Sequence, residues 1–245
     1  MPNPLKLKQL LKLLDLTRLD DQDDSAAMAQ WLEQHVRADA VPAAFCVYPK
    51  FIPQVQAKLS EFQLHLPLAT VVNFPSGQQQ ADLVVEDIQS AIQLGATEID
   101  CVLPYRALLA GECGQVKNFL YDVRQACGPH LLKVIIESGE LSTAQQIIKA
   151  TELVIECGAD FVKSSTGKVP VGITTEAARI MLTVIAAAGR PVGFKASGGV
   201  RTLAQAFELM EMYETMTGQL AQPQWMRIGA SALYLEVLAE LNSVV

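Results

Sequence analysis

Residues 94–102 read Leu-Gly-Ala-Thr-Glu-Ile-Asp-Cys-Val, and residues 157–165 read Cys-Gly-Ala-Asp-Phe-Val-Lys-Ser-Ser. Each has a glycine where an apolar helix must reverse, then a short apolar strand interrupted by a charge. Two copies of one pattern are what a repeated helix–strand unit produces. Outward from these, strand candidates recur at 13–17, 43–47, 66–72, 131–136, 160–164, 191–195 and 225–228, with 97–102 inside the first stretch. Their starts lie about 30 residues apart, the length of one strand and one helix. Ser76 with Gln79 and Ser142 with Gln145 have capping-box spacing. Gly95, Gly128, Gly158 and Gly189 stand where helices should end. Eight such units predict an α/β fold, a single closed (β/α)8 barrel over residues 1–245. Residues 1–15 alternate lysine with leucine and predict a short extra N-terminal helix. An open doubly wound sheet is the rival, but no glycine-rich dinucleotide loop follows the first strand.

The chain has 245 residues, a net charge of −7, half its residues apolar and 6% aromatic. No basic run offers a surface to nucleic acid or to an anionic membrane. No apolar run reaches transmembrane length, and nothing resembles a signal peptide. Five cysteines (Cys46, Cys101, Cys113, Cys127 and Cys157) without CxxC spacing fit reduced thiols in the cytoplasm. The acidic run Asp20, Asp21, Asp23 and Asp24 reads as anions at a helix N-terminus. Pro104-Tyr105-Arg106 reads as a turn.

Charge inside apolar strands is the feature that points to chemistry. Lys133, Lys163 and Lys195 sit in strands 5, 6 and 7, and Asp15 and Asp100 in strands 1 and 4. Such residues are seldom fully buried unless paired, and barrels of this kind carry their active sites at the strand C-termini. A lysine attacks only when neutral, and at its ordinary pKa about one in two thousand is neutral at pH 7. A second ammonium ~4 Å away contributes about 4 kcal/mol of repulsion at an effective dielectric of ~20. Lys163 and Lys195 therefore form a plausible activating pair, although spacing does not say which attacks. His35, His65 and His130 are scattered and offer no metal site, so no metal or other cofactor is expected. Ser197 to Arg201 (Ser-Gly-Gly-Val-Arg) after strand 7 and Gly229-Ala230-Ser231 after strand 8 fit an anion cradle built from backbone N–H groups, with Gly167 and Lys168 as a third contributor. Alternation sends Cys101 toward the helices if Asp100 faces inward, and leaves Cys46 free to face the mouth.

The segments 15–17 (Asp-Leu-Thr), 44–49 (Ala-Phe-Cys-Val-Tyr-Pro), 72–75 (Val-Asn-Phe-Pro), 131–137 (Leu-Leu-Lys-Val-Ile-Ile-Glu), 161–168 (Phe-Val-Lys-Ser-Ser-Thr-Gly-Lys) and 193–202 (Gly-Phe-Lys-Ala-Ser-Gly-Gly-Val-Arg-Thr), together with Ile99-Asp100 and the following 103–108 (Leu-Pro-Tyr-Arg-Ala-Leu), resemble 2-deoxyribose-5-phosphate aldolases. The resemblance runs from the first helix nearly to the last residue. It implies a metal-independent class I aldolase of deoxyribonucleotide breakdown, reversibly cleaving 2-deoxy-D-ribose 5-phosphate to D-glyceraldehyde 3-phosphate and acetaldehyde. By resemblance Lys163 forms the imine, Lys195 lowers its pKa, and Asp100 with Lys195 relays protons. Asp15, Thr17, Cys46 and Thr166 would line the substrate pocket, and Gly167, Lys168, Gly198, Gly199, Arg201, Gly229 and Ser231 would hold the phosphate. A homodimer is left open. Two departures stand out: Ala232 occupies a position where the family often has a second serine, and the chain closes on 242–245 without a terminal tyrosine. A Schiff-base barrel using another donor and a catalytically silent sugar-phosphate binder remain as competing readings.

Overall fold

The regularly spaced strands close on one another. In the computed structural model, which describes residues 3–243, helix α1 (Pro4–Leu13) leads into β1 (Leu14–Arg18). Then come α2 (Ser25–His35), β2 (Ala44–Val47), α3 (Ile52–Glu61), β3 (Leu68–Val72), α4 (Ala81–Gln93), β4 (Glu98–Val102), α5 (Tyr105–Leu109) and α6 (Cys113–Cys127). The second half runs β5 (Leu131–Ile135), α7 (Ala144–Glu156), β6 (Phe161–Lys163), α8 (Thr175–Ala186), β7 (Gly193–Ser197), α9 (Leu203–Thr217), β8 (Met226–Ala230) and α10 (Ala232–Ser243). Each strand pairs in parallel with the next, and β8 pairs with β1, which makes the predicted (β/α)8 barrel. The first two residues of the predicted N-terminal helix, and Val244 and Val245 of the chain end, lie outside the described residues. Among the described residues no helix is long and apolar enough to cross a membrane.

Side-chain alternation separates two interiors. Leu16, Phe45, Val47, Ile99, Cys101, Val134, Val162, Phe194 and Ile228 join the helices in the main core. Burying one side chain of this kind stabilises by roughly 1.5–3 kcal/mol. The opposite face of the strands carries the charged residues, beside the Phe161 ring and a small cluster of Cys46, Ala69 and Val71. Gly193 has a specific task here. A Cβ added to it would meet the Phe161 ring at 2.4 Å, so only glycine leaves that ring its place. The Arg227 guanidinium lies 5.8 Å from the same ring's centroid. Helix α1 packs its buried Leu7 and Leu10 against α10 and β8. Its Gln9 donates to Glu214 and to the Ala221 carbonyl, both at 3.0 Å.

Several local expectations need correction. The capping box of α7 is Thr143 with Gln146, one residue beyond the expected pair, and a second one, Thr202 with Gln205, starts α9. Ser76 and Gln79 cap nothing, because α4 begins after Gln80 and the Gln79 amide donates instead to Asn73. Gly95, Gly128 and Gly158 have positive φ as helix-ending glycines do, whereas Gly189 does not. Of the acidic run, only Asp24 caps α2, while Asp23 pairs with Arg18. Residues 105–109 form the short helix α5 rather than a turn. β7 starts at Gly193, since Pro191 has no N–H to give the ladder. Ser197, Gly229 and Ala230 close their strands instead of opening loops.

Candidate active site

Strand register brings the inward charges together. Asp100 is paired with Lys133, and Lys163 with Lys195. The Asp100 carboxylate receives three ammonium groups: Lys133 at 2.8 Å, and Lys163 and Lys195 each at 2.7 Å on Oδ2. Asp15 takes Lys195 at 2.5 Å and Arg227 at 2.6 Å, with Lys133 at 3.6 Å. Glu98 takes Lys133 at 2.5 Å and Arg227 at 3.1 Å. All seven side chains are buried.

Burial disfavours the charged form of every one of these groups, and the partners decide how far each carboxyl and amine shifts. Burial would raise Asp100, but Lys133, Lys163 and Lys195 hold it well below the usual carboxylate range. Asp15 is likewise held down, by Lys195, Arg227 and Lys133. Burial would lower Lys133, yet Asp100, Glu98 and Asp15 lift it above an ordinary lysine. Lys195 is lifted by Asp100 and Asp15. Lys163 goes the other way. Burial lowers it, Asp100 is the chief carboxylate that opposes, and the Lys195 charge pushes it further down. Desolvation thus exceeds the Lys195 repulsion that the sequence singles out as the activating force.

Above this layer the strand ends open on a cavity of about 280 Å³, into which Lys163 alone of the three interior lysines reaches. Thr17, Thr166, Gly167, Lys168, Gly198, Gly199, Arg201, Gly229 and Ser231 line it. Gly167, Gly198 and Gly199 have φ of 77°, 79° and 96°, and a Cβ on Gly198 would meet that of Ser165 at 2.9 Å. Glycine is therefore required where the backbone folds tightly over the cavity. Lys168 donates to Asp21 at 3.1 Å, and the Tyr48 hydroxyl donates to the same carboxylate, a link across the mouth between loops after β6, β1 and β2. A larger cavity, about 810 Å³ between α4, α5 and α6, is lined by none of the candidate catalytic or substrate-binding residues.

Residues 10–232 match the family model of the DeoC/LacD family aldolases. The chain belongs to the DeoC/LacD aldolase family. Among solved structures it is similar to a protein of Coccidioides immitis provisionally named a deoxyribose-phosphate aldolase, with 26% identity, a TM-score of 0.85, and 98% of this chain and 87% of that chain covered. A second solved aldolase shares 26% identity at a TM-score of 0.81, covering 96% and 98% of the two chains. The deoxyribose phosphate aldolase of Aeropyrum pernix, described as tetrameric, shares 21% identity and the fold, with a TM-score of 0.79 over 98% and 93% of the chains.

Within this DeoC/LacD aldolase, the residues singled out from the sequence fall into two groups. Lys163, Thr17, Thr166 and the glycine-rich segments meet at the cavity, whereas Asp15, Asp100, Lys195 and Cys46 lie sealed beneath it. The Cys46 sulfur is 4.0 Å from Asp100 inside the barrel, and burial pushes its thiol pKa up. Cys46 thus points inward as alternation allows, but does not reach the open mouth. Cys101 faces outward toward Cys127, its thiol also raised by burial. Three residues were given no role in the sequence reading. Glu98 is two positions from Asp100 and Arg227 two from Gly229, so strand periodicity could have flagged both. Glu137 follows β5 with a left-handed φ of 53°, which no pattern in the sequence signals. Among the described residues no group of three or more His, Cys, Asp or Glu is placed to hold a metal ion.

Proposed function

We propose that this aldolase reversibly cleaves 2-deoxy-D-ribose 5-phosphate to D-glyceraldehyde 3-phosphate and acetaldehyde through an imine on Lys163. The observation that carries the reading is that Lys163 is the one interior lysine both pushed below the ordinary lysine pKa and open to the cavity. A neutral Lys163 also leaves three cations, Lys133, Lys195 and Arg227, facing three carboxylates in the linked set. The neutral amine attacks C1 of the open-chain sugar, and proton uptake with loss of water from the carbinolamine gives the protonated imine. Loss of the 3-hydroxyl proton then breaks the C2–C3 bond and releases glyceraldehyde 3-phosphate. The electron pair is held as an enamine on the two remaining carbons. Protonation of that enamine and hydrolysis return acetaldehyde and Lys163. Asp100 lies 2.7 Å from both amines and is suited to passing protons, with Lys195 as the cationic partner. Asp15 acts through Lys195, and Cys46 through Asp100, rather than by touching substrate. The phosphate sits against the backbone of Gly167, Gly198, Gly199 and Gly229, with Lys168, Arg201 and the Ser231 hydroxyl around it, while Thr17 and Thr166 line the carbon chain. No metal or cofactor takes part.

Borohydride added with acetaldehyde should leave an ethyl group on Lys163 and abolish activity. A label found on Lys195 or Lys133 overturns the assignment. We further infer a single catalytic domain over residues 1–245 that works in the cytoplasm on deoxyribonucleotide breakdown. The tetramer of the Aeropyrum pernix protein supports an oligomer, and light scattering would distinguish it from the homodimer left open by the sequence.

A further inference from the structure

Glu137 is fully buried beside the cavity and is a partner in none of the ion pairs described above. Both its oxygens are used by one residue. The Thr166 amide donates to Oε1 at 3.1 Å, and the Thr166 hydroxyl donates to Oε2 at 2.5 Å. The same hydroxyl oxygen accepts the Lys168 amide at 3.0 Å. A threonine hydroxyl has one proton and two lone pairs. With the proton held by Glu137 and one lone pair by Lys168, a single lone pair is left for the cavity that Thr166 lines. We propose that Glu137 is a positioning residue that fixes the Thr166 hydroxyl as a hydrogen-bond acceptor, so that the site selects a sugar phosphate bearing a hydroxyl beside its phosphate-carrying carbon. The location follows from position, since Thr166 stands between Lys163 and the Gly167–Lys168 end of the phosphate cradle. This rests on the reading of that cradle given above.

The arrangement has a direct reversal. In Glu137→Gln the side-chain oxygen can keep the Thr166 amide while its NH2 group donates to the Thr166 hydroxyl oxygen. Both lone pairs are then occupied, and the hydroxyl proton must turn toward the cavity. Thr166 becomes a donor, which a hydroxyl tolerates by rotating and an acceptor-only group such as fluorine now satisfies.

The test is binding, which needs no turnover. Glycerol 3-phosphate and its 2-fluoro-2-deoxy analogue are titrated calorimetrically at pH 8, because burial pushes the Glu137 carboxyl upward and the experiment needs it ionised. The unaltered protein should prefer the hydroxyl roughly tenfold, the scale of one hydrogen bond against an unpaired acceptor. Glu137→Gln should reduce that preference to about twofold or less, and in the Thr166→Val background the same change should alter nothing. Thr166→Ser should keep the preference. Equal weakening of both ligands in Glu137→Gln, or an unchanged ratio, overturns the proposal by showing that Glu137 only supports the loop. Imine trapping with acetaldehyde is run alongside. Its failure would remove the imine mechanism and leave the binding ratio to judge Glu137.

Discussion

Lys133 and Lys163 stand on neighbouring strands, point into one barrel and are both buried, yet their pKa values move in opposite directions. Lys133 meets three carboxylates, at 2.5, 2.8 and 3.6 Å, and Lys195 meets two. Lys163 meets one, which it shares with both other lysines. Desolvation of each lysine is large, so the sign of its shift is set by how many carboxylates reach it. The floor of the barrel is a saturated ion cluster that keeps its members charged. The mouth borrows a single edge of that cluster and leaves one amine under-compensated. The barrel thus turns one residue type into structural cations and a candidate nucleophile without changing its fold.

The strongest way to break this contrast is to remove each amine in turn. Lys163→Met should abolish turnover and imine trapping while leaving the melting temperature nearly unchanged, since Asp100 keeps Lys133 and Lys195. Lys133→Met should do the reverse. Taking the central cation from three buried carboxylates costs on the order of 3–5 kcal/mol of stability, readable as a lowered denaturant midpoint, while trapping at Lys163 persists in whatever fraction folds. An unstable Lys163→Met, or an ethyl label on Lys133, would mean that the two amines are not divided in this way.

Lys195→Leu sharpens the contrast. Without Lys195, Asp100 has one cation fewer to satisfy and holds the Lys163 ammonium more firmly, and the direct repulsion is lost as well. Both effects raise the pKa of Lys163. Because desolvation is the largest cause and survives the change, the rise should be only partial. Activity at neutral pH should then fall roughly ten- to hundredfold. The attacking amine is the deprotonated form, so the acid limb of kcat/KM must move to higher pH and activity must recover as pH rises. Arginine at position 195 should keep the limb in place, because the charge remains, but slow any step in which Lys195 transfers a proton. A limb that stays put in the leucine variant would show that burial alone neutralises Lys163.

Much of this was legible in the sequence, for identifiable reasons. The barrel was readable because strand-length apolar runs recur at the interval of one βα unit, and the closing β8–β1 pairing follows from having eight of them. Strand ends were less readable where Pro191 withholds its N–H and where Gly229 continues a ladder that its composition marks as a loop. Lys163, Lys195 and Asp100 were visible as charges in apolar strands. Their division of labour was legible only through the family resemblance, because spacing does not show that Lys195 meets Asp15 as well as Asp100 while Lys163 meets Asp100 alone. Glu137 was visible only as the end of the 131–137 segment, since its role lies in a left-handed backbone turn and a hydrogen bond to a loop 29 residues away.

The weakest ion pair at the mouth gives the smallest expected effect and the most pointed comparison with the floor. Lys168 is bound to Asp21, whose side chain is 67% exposed, so water and salt screen the pair, unlike the sealed contacts of Lys133. If Lys168 serves the phosphate, Asp21 competes for the same ammonium and adds a negative charge beside an anionic ligand. Asp21→Asn removes both while its amide oxygen can still accept the Tyr48 hydroxyl. The KM for 2-deoxyribose 5-phosphate should fall about two- to threefold at low salt, the range typical of exposed pairs, with kcat unchanged. The gain should shrink as ionic strength rises. Unphosphorylated 2-deoxyribose, which offers Lys168 nothing, should show no change. The same amine type, tied to one screened carboxylate instead of several buried ones, would then be free to exchange partners. A KM that rises in Asp21→Asn would reverse this, making Asp21 a brace that holds Lys168 in place for the phosphate rather than a competitor for it.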